Sequence, residues 1–493
     1  MFEKLYSIKL PMDMARKELY IKGDSIDIQL DYICLQKGQT LDFSTYFNLF
    51  SVKKWKTYTS IQSIKLLLHI YGKYKVTVYS VSSNDRTILF TDTCQNDLEK
   101  TISLSDCSGN FLVFTIQALE DDVKVWNGSY WGEFEYTQNV DIGIIICTFK
   151  REEYVKRNLT ILQHLMQENP HFHVMVIDNG RTLPETRNEQ LQVIHNRNYG
   201  GSGGFTRGLM EQVNQGTNNY VLMMDDDILI ETSSLERVYA LCRHIKSQYA
   251  QQMIAGSMMS MDEPTIQYEN TAYWGKIRLH ALGKNFDLTK IKYLLQNDTI
   301  PEVINKYAAW WFCCIPIAVV KKNGYPLPAF IKSDDMEYGI RNHQDIIIMN
   351  GIGVWHETFN KKENAVVNYF NDRNMLILNH YAFHCGRWSF LGTALGRLGK
   401  HILRRNKPGV QMFAVALQDY QNGYEQITSI DADEKLKQIQ QYRIDENICW
   451  TFIKNLVLIS QTFWQYRLIH KQYIEFRCKN LKTQQFWKNY LHL

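Results

Sequence analysis

The run Tyr220-Val221-Leu222-Met223-Met224-Asp225-Asp226-Asp227-Ile228 sets a buried-type strand directly against three consecutive carboxylates. Adjacent acids repel, and desolvation disfavours each charge, so such a strand must end where water or a cation can reach it. The carboxyl edge of a parallel α/β sheet meets that demand, and it is also where ligands of such folds bind. Asp225 and Asp227, alternating along the chain, can aim oxygens at one Mg²⁺ or Mn²⁺, which in turn neutralises a diphosphate. The plainer alternative is a solvated cluster capping a helix at Ser233-Ser234-Leu235-Glu236. A lone Asp suits that reading better than three in a row on an apolar strand.

The surrounding periodicity agrees with a parallel sheet. From residue 139 the run Ile142-Gly143-Ile144-Ile145-Ile146-Cys147 precedes a helical stripe of Val155, Leu159, Leu162 and Met166. Val174 to Ile177, Leu191 to His195, a helix from about 204 to 214 and Tyr220 to Met224 follow, so strands alternate with helices. Upstream, from 26 to about 136, the pattern is period two, as in Lys73-Tyr74-Lys75-Val76-Thr77-Val78-Tyr79, with turn clusters such as 105–110. That predicts an antiparallel β-sandwich. From about 365 long amphipathic stretches predict a helical region. The expected division is 1–138, 139–380 and 381–493.

A chain of 493 residues is large enough for several domains, and 45% hydrophobic with 22% charged residues excludes wholesale disorder. A net charge of +4 is too small for a nucleic-acid binder, so none is expected as a partner. The ten cysteines contain no CxxC pair and read as buried thiols of a reducing compartment. Charges interrupt the apolar positions of the N-terminus, so no signal peptide is expected there. The densest apolar stretches, 66–71 and 142–149, fall far short of the ~20 residues that span a bilayer. A soluble protein, or one lying on a membrane surface, is expected.

Three further segments carry chemistry. Asn198-Tyr199-Gly200-Gly201-Ser202-Gly203-Gly204-Phe205-Thr206-Arg207-Gly208 is a glycine-rich turn entering a helix, where backbone N–H groups can approach a phosphate or sugar. It is neither a P-loop nor GxGxxG. Ser333-Asp334-Asp335-Met336-Glu337 offers a second acidic pair, and Trp355-His356 places an imidazole 21 residues after Asp335. A carboxylate there can act as general base and a neutral His can complete a metal shell; an N-cap and a core histidine are the plain alternatives. Trp310-Trp311-Phe312 reads as core packing or as a platform for a sugar ring.

Taken in order, these residues resemble a family of known enzymes. The aspartate triplet, preceded by Cys147-Thr148-Phe149-Lys150-Arg151 and Ile177-Asp178-Asn179-Gly180, looks like a family 2 glycosyltransferase of GT-A fold. More narrowly, the chain resembles the polymerising galactofuranosyltransferases that build cell-wall galactan. The matching segments are residues 41–50 with Trp55, the Asn198 to Gly208 loop, the triplet, Trp310 to Cys313, Asp334 to Gly339, Trp355-His356 and Tyr369-Phe370-Asn371-Asp372-Arg373-Asn374. The resemblance implies a multidomain α/β protein: an N-terminal antiparallel β-sandwich, a central Rossmann-like GT-A domain and a helical C-terminal region.

It also implies roles. Asp225, Asp227 and His356 become ligands of Mn²⁺ or Mg²⁺, and Asp335 the base that deprotonates the acceptor hydroxyl. Thr148, Arg151, Asn179, Asn198 and Asp226 become contacts to a UDP-sugar donor, and Trp310, Trp311 and Asp334 contacts to a glycan or glycolipid acceptor. Two departures stand out: a C-terminus shorter than in polymerising members, and Asn179 where the family carries Gln. The sugar, the number of units added and the oligomeric state, a homo-oligomer included, stay open. Basic and apolar residues interleave between 387 and 407, at Arg387, Trp388, Arg397, Lys400, Arg404, Arg405 and Lys407, and again after 451. That composition suits peripheral contact with the cytoplasmic face of a membrane, or a pair of ordinary helices with a solvated basic face.

Overall fold

The computed structural model describes the chain apart from residues 12, 24–26, 30, 84, 343–344, 359–363 and 443–447. Residue 26, the expected start of the β-region, lies outside the described residues. Two antiparallel sheets form that region. One joins Phe2–Ile8, Asp27–Ile28, Ile33–Leu35, Ile61–Tyr71, Leu98–Ser103 and Val123–Phe134; the other joins Thr40–Asp42, Lys73–Val81, Arg86–Gln95 and Phe111–Ala118. Alternation decides which face is inside: Ile64, Leu66, Leu68 and Ile70 of one sheet are buried, as are Tyr74, Val76 and Val78 of the other. The strand Phe2–Ile8, which the charged N-terminal pattern did not suggest, is held by pairing with Val123–Phe134, from Phe2 opposite Glu133 to Ile8 opposite Gly128.

The central sheet contains β1 (Ile142–Thr148), β2 (Phe172–Asp178), β3 (Leu191–His195), β4 (Tyr220–Asp225), β5 (Met253–Ser260), β6 (Phe312–Pro316) and β7 (Ile346–His356), in the order β3-β2-β1-β4-β6-β5-β7. β1 to β4 are parallel, β6 is antiparallel to both β4 and β5, and β7 is parallel to β5. Thr148, Asp178, Asp225, Ser260 and His356 therefore all close strands at one carboxyl edge. Their near-continuous apolar sequences fit a sheet covered on both faces.

α1 (Glu152–Glu168) buries Val155, Leu162 and Met166 of the expected stripe. α2 (Gly200–Gln215) begins four residues before the expected 204, so the glycine stretch is helix, not turn. The cause is close packing on β1: a Cβ on Gly204 would lie 2.2 Å from Cys147 Sγ, and one on Gly208 2.5 Å from Ile145 Cγ2. α3 (Asp334–Asn342) follows, and then the helical region: α4 (Ala365–Leu378), α5 (Arg387–Leu403), α6 (Lys407–Ser429, kinked at Gly423) and α7 (Ile448–Asn480). Among the described residues no helix is long and apolar enough to cross a membrane. Of the ten cysteines only Cys107, Cys242, Cys313 and Cys314 are fully buried, while Cys449 and Cys478 are exposed on the helical region, which corrects the expectation of uniformly buried thiols.

The sandwich is pinned to the central domain through residues 46–47. Tyr46 donates its hydroxyl to the Ile352 carbonyl at 2.9 Å, Phe47 packs on Trp355 at 5.5 Å between ring centroids, and Arg237 donates to the Phe47 carbonyl. These contacts back the last residues of β7, immediately before His356.

Candidate functional site

The turn after β4 is laced to the end of β7, with Leu229 opposite Trp355 and Ile230 opposite Val354, and this brings His356 to the aspartate triplet. His356 Nε2 lies 3.1 Å from Asp227 Oδ1 and 3.7 Å from Asp225 Oδ2. One ligand atom from each of Asp225, Asp227 and His356 falls within 4.8 Å of the others, a group that could hold a metal ion. Nδ1 of His356 lies 2.6 Å from the Glu357 carbonyl, which can only accept, so Nδ1 carries a proton and Nε2 is the atom turned to the acids. Two carboxylates and one oriented imidazole are the donor set of a hard divalent cation.

The three groups differ in their electrostatics. Lost solvation pushes Asp225 up to about 6, with the imidazole pulling against it, although 37% of its side chain remains open. Asp227, more enclosed, is held well below the usual carboxylate range: burial acts against this, but its hydrogen bond and charge pairing with His356, joined by Arg151, prevail. Burial likewise opposes the charge of His356, yet the two aspartates raise it.

Asp226 turns the other way. It accepts from Thr148 Oγ1 at 2.7 Å and from Arg151 Nη1 at 2.9 Å, while its backbone carbonyl accepts from Asn158 Nδ2 at 2.8 Å. The same Arg151 nitrogen also meets Asp227. Thr148, Arg151 and Asp226 are thus one cluster tying the end of β1 to the end of β4.

Asn179 and Asn198 frame the start of α2. Asn179 Nδ2 donates to the Gly200 carbonyl at 3.0 Å and its Oδ1 accepts from Asn196 at 2.9 Å, while Asn198 Oδ1 accepts from the Gly200 N–H at 3.2 Å. Beside them opens a cleft of about 290 Å³ whose lining adds Lys150, Arg181, Arg197 and Asp433. None of these four has a role assigned from sequence, although Lys150 lies within the segment 147–151 that carries the resemblance. Lys150 and Arg181 follow the ends of β1 and β2 with φ of +55°, so cations directly after strand ends were the available signal. Asp433 comes from the helical region, which no local pattern reveals.

The second acidic pair opens α3. Asp334 and Asp335 both stand in its first turn, where Asp335 Oδ1 accepts from the Met336 N–H at 2.8 Å, so the plain reading as helix-start acids holds as well. A Cβ on Gly201 would come 3.7 Å from Asp334 Oδ2, which sets that acid beside the start of α2. Burial, reinforced by the charge of Asp334, pushes Asp335 up to about 8, and burial pushes Asp334 up to about 6. Trp310 and Trp311 are each only 5% exposed. Trp310 meets Phe205 and Tyr338 edge-on, and the Trp311 indole donates to the Gly256 carbonyl at 2.9 Å. Their packing is that of core residues.

Comparison with known proteins places relatives on both the sheet domain and the sandwich. The model "Glycosyltransferase like family 2" matches residues 139–345, and "Galactofuranosyltransferase 2 N-terminal" matches residues 25–133. The chain is 25% identical over 441 residues to galactofuranosyltransferase GlfT2 of Mycobacterium tuberculosis, covering 82% of this chain and 68% of that protein. It is 24% identical over 436 residues to GlfT2 of Mycolicibacterium smegmatis, covering 79% and 65%. The chain therefore spans about two thirds of the length of these relatives. Among solved structures, S. aureus TarS 1-349 in complex with UDP-GlcNAc has a TM-score of 0.39 at 14% identity over 66% of this chain and 92% of that one, a likeness too loose to carry an inference. Two domains of known type thus lie side by side on one chain, a family 2 glycosyltransferase domain over the sheet and an N-terminal domain of the galactofuranosyltransferase 2 type over the sandwich.

Proposed function

We propose that this enzyme transfers a galactofuranosyl unit, with inversion, from UDP-galactofuranose to a glycan acceptor, the lipid-linked precursor of a cell-surface polysaccharide being the class to test first. The observation that carries the reading is the convergence of Asp225, Asp227 and His356 at the carboxyl edge, beside a second acid pair, in a chain whose relatives bear that activity in their names. Mn²⁺ or Mg²⁺, held by these three residues, would supply charge neutralisation for the donor diphosphate. Arg151, Thr148 and Asp226 orient the edge on the donor side, and Asn179 and Asn198 shape the cleft in which the nucleotide would lie. Asp335 takes the acceptor proton; a direct displacement needs one such base and no covalent intermediate. Asp334, Trp310 and Trp311 belong to the acceptor side in this reading, the tryptophans through an edge or after rearrangement, since both are packed. The division 1–138, 139–380 and 381–493 and attachment to the cytoplasmic face of a membrane belong to the same proposal.

Incubation with a panel of UDP- and dTDP-sugars plus Mn²⁺ tests it. Transfer or hydrolysis confined to UDP-galactofuranose is expected; preference for a hexopyranosyl or rhamnosyl donor would favour the alternative, another GT-A transferase with the same metal machinery.

A further inference from the structure

The segment Tyr369-Phe370-Asn371-Asp372-Arg373-Asn374 has no place in the chemistry above, yet its side chains reach the acid pair through the backbone that precedes it. Three of the four residues 330–333 adopt left-handed backbone: Phe330 at φ +71°, Lys332 at +65° and Ser333 at +68°. None is glycine, and L-residues other than Asn and Asp enter that region uncommonly. Something must hold them there. Asn374, 4% exposed, points its Nδ2 at three carbonyls of this stretch, at 2.8 Å from Lys332, 2.9 Å from Ile331 and 3.1 Å from Ala329. Arg373 Nη2 donates to the Ala329 carbonyl as well, at 2.9 Å. From the opposite side the Phe330 carbonyl accepts from the Ser202 N–H at 3.2 Å, so the stretch is gripped between α4 and the start of α2.

The grip is itself anchored. Fully buried Asp372 binds Arg397 and lies 2.9 Å from His401 Nε2, and the Tyr369 hydroxyl donates to Asp419, which fixes α4 to α5 and α6. Directly after the gripped stretch come Asp334 and Asp335. Ser333 Oγ, in a residue 4% exposed, has no hydrogen-bond partner among the described residues.

We propose that Asn374 is a positioning residue for Asp335: its amide, seconded by Arg373, holds residues 329–332 in a conformation they would otherwise leave, and thereby sets the acid pair on the acceptor side. This rests on the reading of Asp335 as the base. A displacement of about 1 Å at a reacting group can lower turnover about 10²-fold.

Asn374→Asp keeps the size of the side chain and removes its N–H donors, so the test compares it with Asp335→Asn in the full chain, using UDP-galactofuranose, Mn²⁺ and an acceptor. A fall in kcat of roughly 10- to 100-fold is expected, with donor KM and UDP affinity within about twofold of the wild type. A merely structural role would weaken UDP binding and turnover together, and that result overturns the proposal, as does a kcat within twofold of the wild type while Asp335→Asn is inactive. Should Asn374→Asp fail to fold, Asn374→Ala, which bares the carbonyls without adding a charge, carries the same comparison. Retained turnover in Asp335→Asn removes the base, and the positioning role with it, which separates the two failures.

Discussion

Asp335 is the residue on which the chemistry and the electrostatics can be checked together. A base works only when ionised, so with its carboxyl pushed up to about 8 the rate should rise with pH and level off near that value. Asp335→Asn should lower turnover by about 10²–10⁴-fold while leaving UDP binding in place. Stability should move the opposite way. A carboxyl whose folded pKa lies above the unfolded value of ~4 stabilises the fold while protonated and loses that contribution as pH rises toward 8. Asp335→Asn should therefore melt higher than the wild type at pH 8 to 9, with the gain shrinking toward pH 4. A variant melting below the wild type at pH 9 would contradict the assigned burial. At this scale the triplet was legible because three adjacent acids against an apolar strand repel one another unless water or a cation stands between them. The roles of Trp310 and Trp311 were not: an indole in core and an indole under a sugar look alike in sequence, and here both are packed.

Among the elements, α2 shows what spacing conveys and what it hides. Its later turns were readable from apolar periodicity, whereas Gly200 to Gly204 read as a turn because helix propensity is poor there. Contact with β1 overrides propensity, since only residues without a Cβ let the helix lie so close. Gly204→Ala tests this: its methyl would meet Cys147 Sγ, and overpacking of that kind costs about 1–3 kcal/mol. Thermal or denaturant unfolding should show that loss; a variant as stable as the wild type would mean that the helix can move away from the sheet. The strands β1 to β4 were legible for the usual reason of buried apolar runs. The hold of Asn374 on residues 329–332 was not, because a contact between segments so far apart in the chain leaves no local period.

At the scale of the whole molecule, the sandwich backs β7 beside His356, and the helical region carries a surface that the sequence described only in part. Trp388, Leu395 and Ile402 recur every seven residues on the exposed side of α5, and Trp450, Ile453, Val457, Trp464 and Leu468 form an exposed stripe on α7. Trp388 meets Phe463 at 4.9 Å between ring centroids, joining the two helices. The solvent side is thus apolar as well as basic, which a merely solvated basic face would not require. Arg397, counted among the basic residues from sequence, is engaged with buried Asp372 and faces inward. Arg387, Arg404, Arg405 and Lys407 are exposed. Each cation near an anionic surface contributes about 1 kcal/mol, so cosedimentation with anionic liposomes should be strong at low salt, weaken at high salt, and weaken again in Arg404→Ala/Arg405→Ala/Lys407→Ala. Absence of binding at low salt would contradict membrane attachment.

The most direct test of the central claim is transfer from UDP-galactofuranose followed through metal removal and return, with wild type and His356→Ala side by side. EDTA should abolish transfer and Mn²⁺ restore it in the wild type, while His356→Ala requires much higher Mn²⁺ or stays inactive. Full transfer in EDTA, or a His356→Ala enzyme with wild-type dependence on Mn²⁺, would contradict the account.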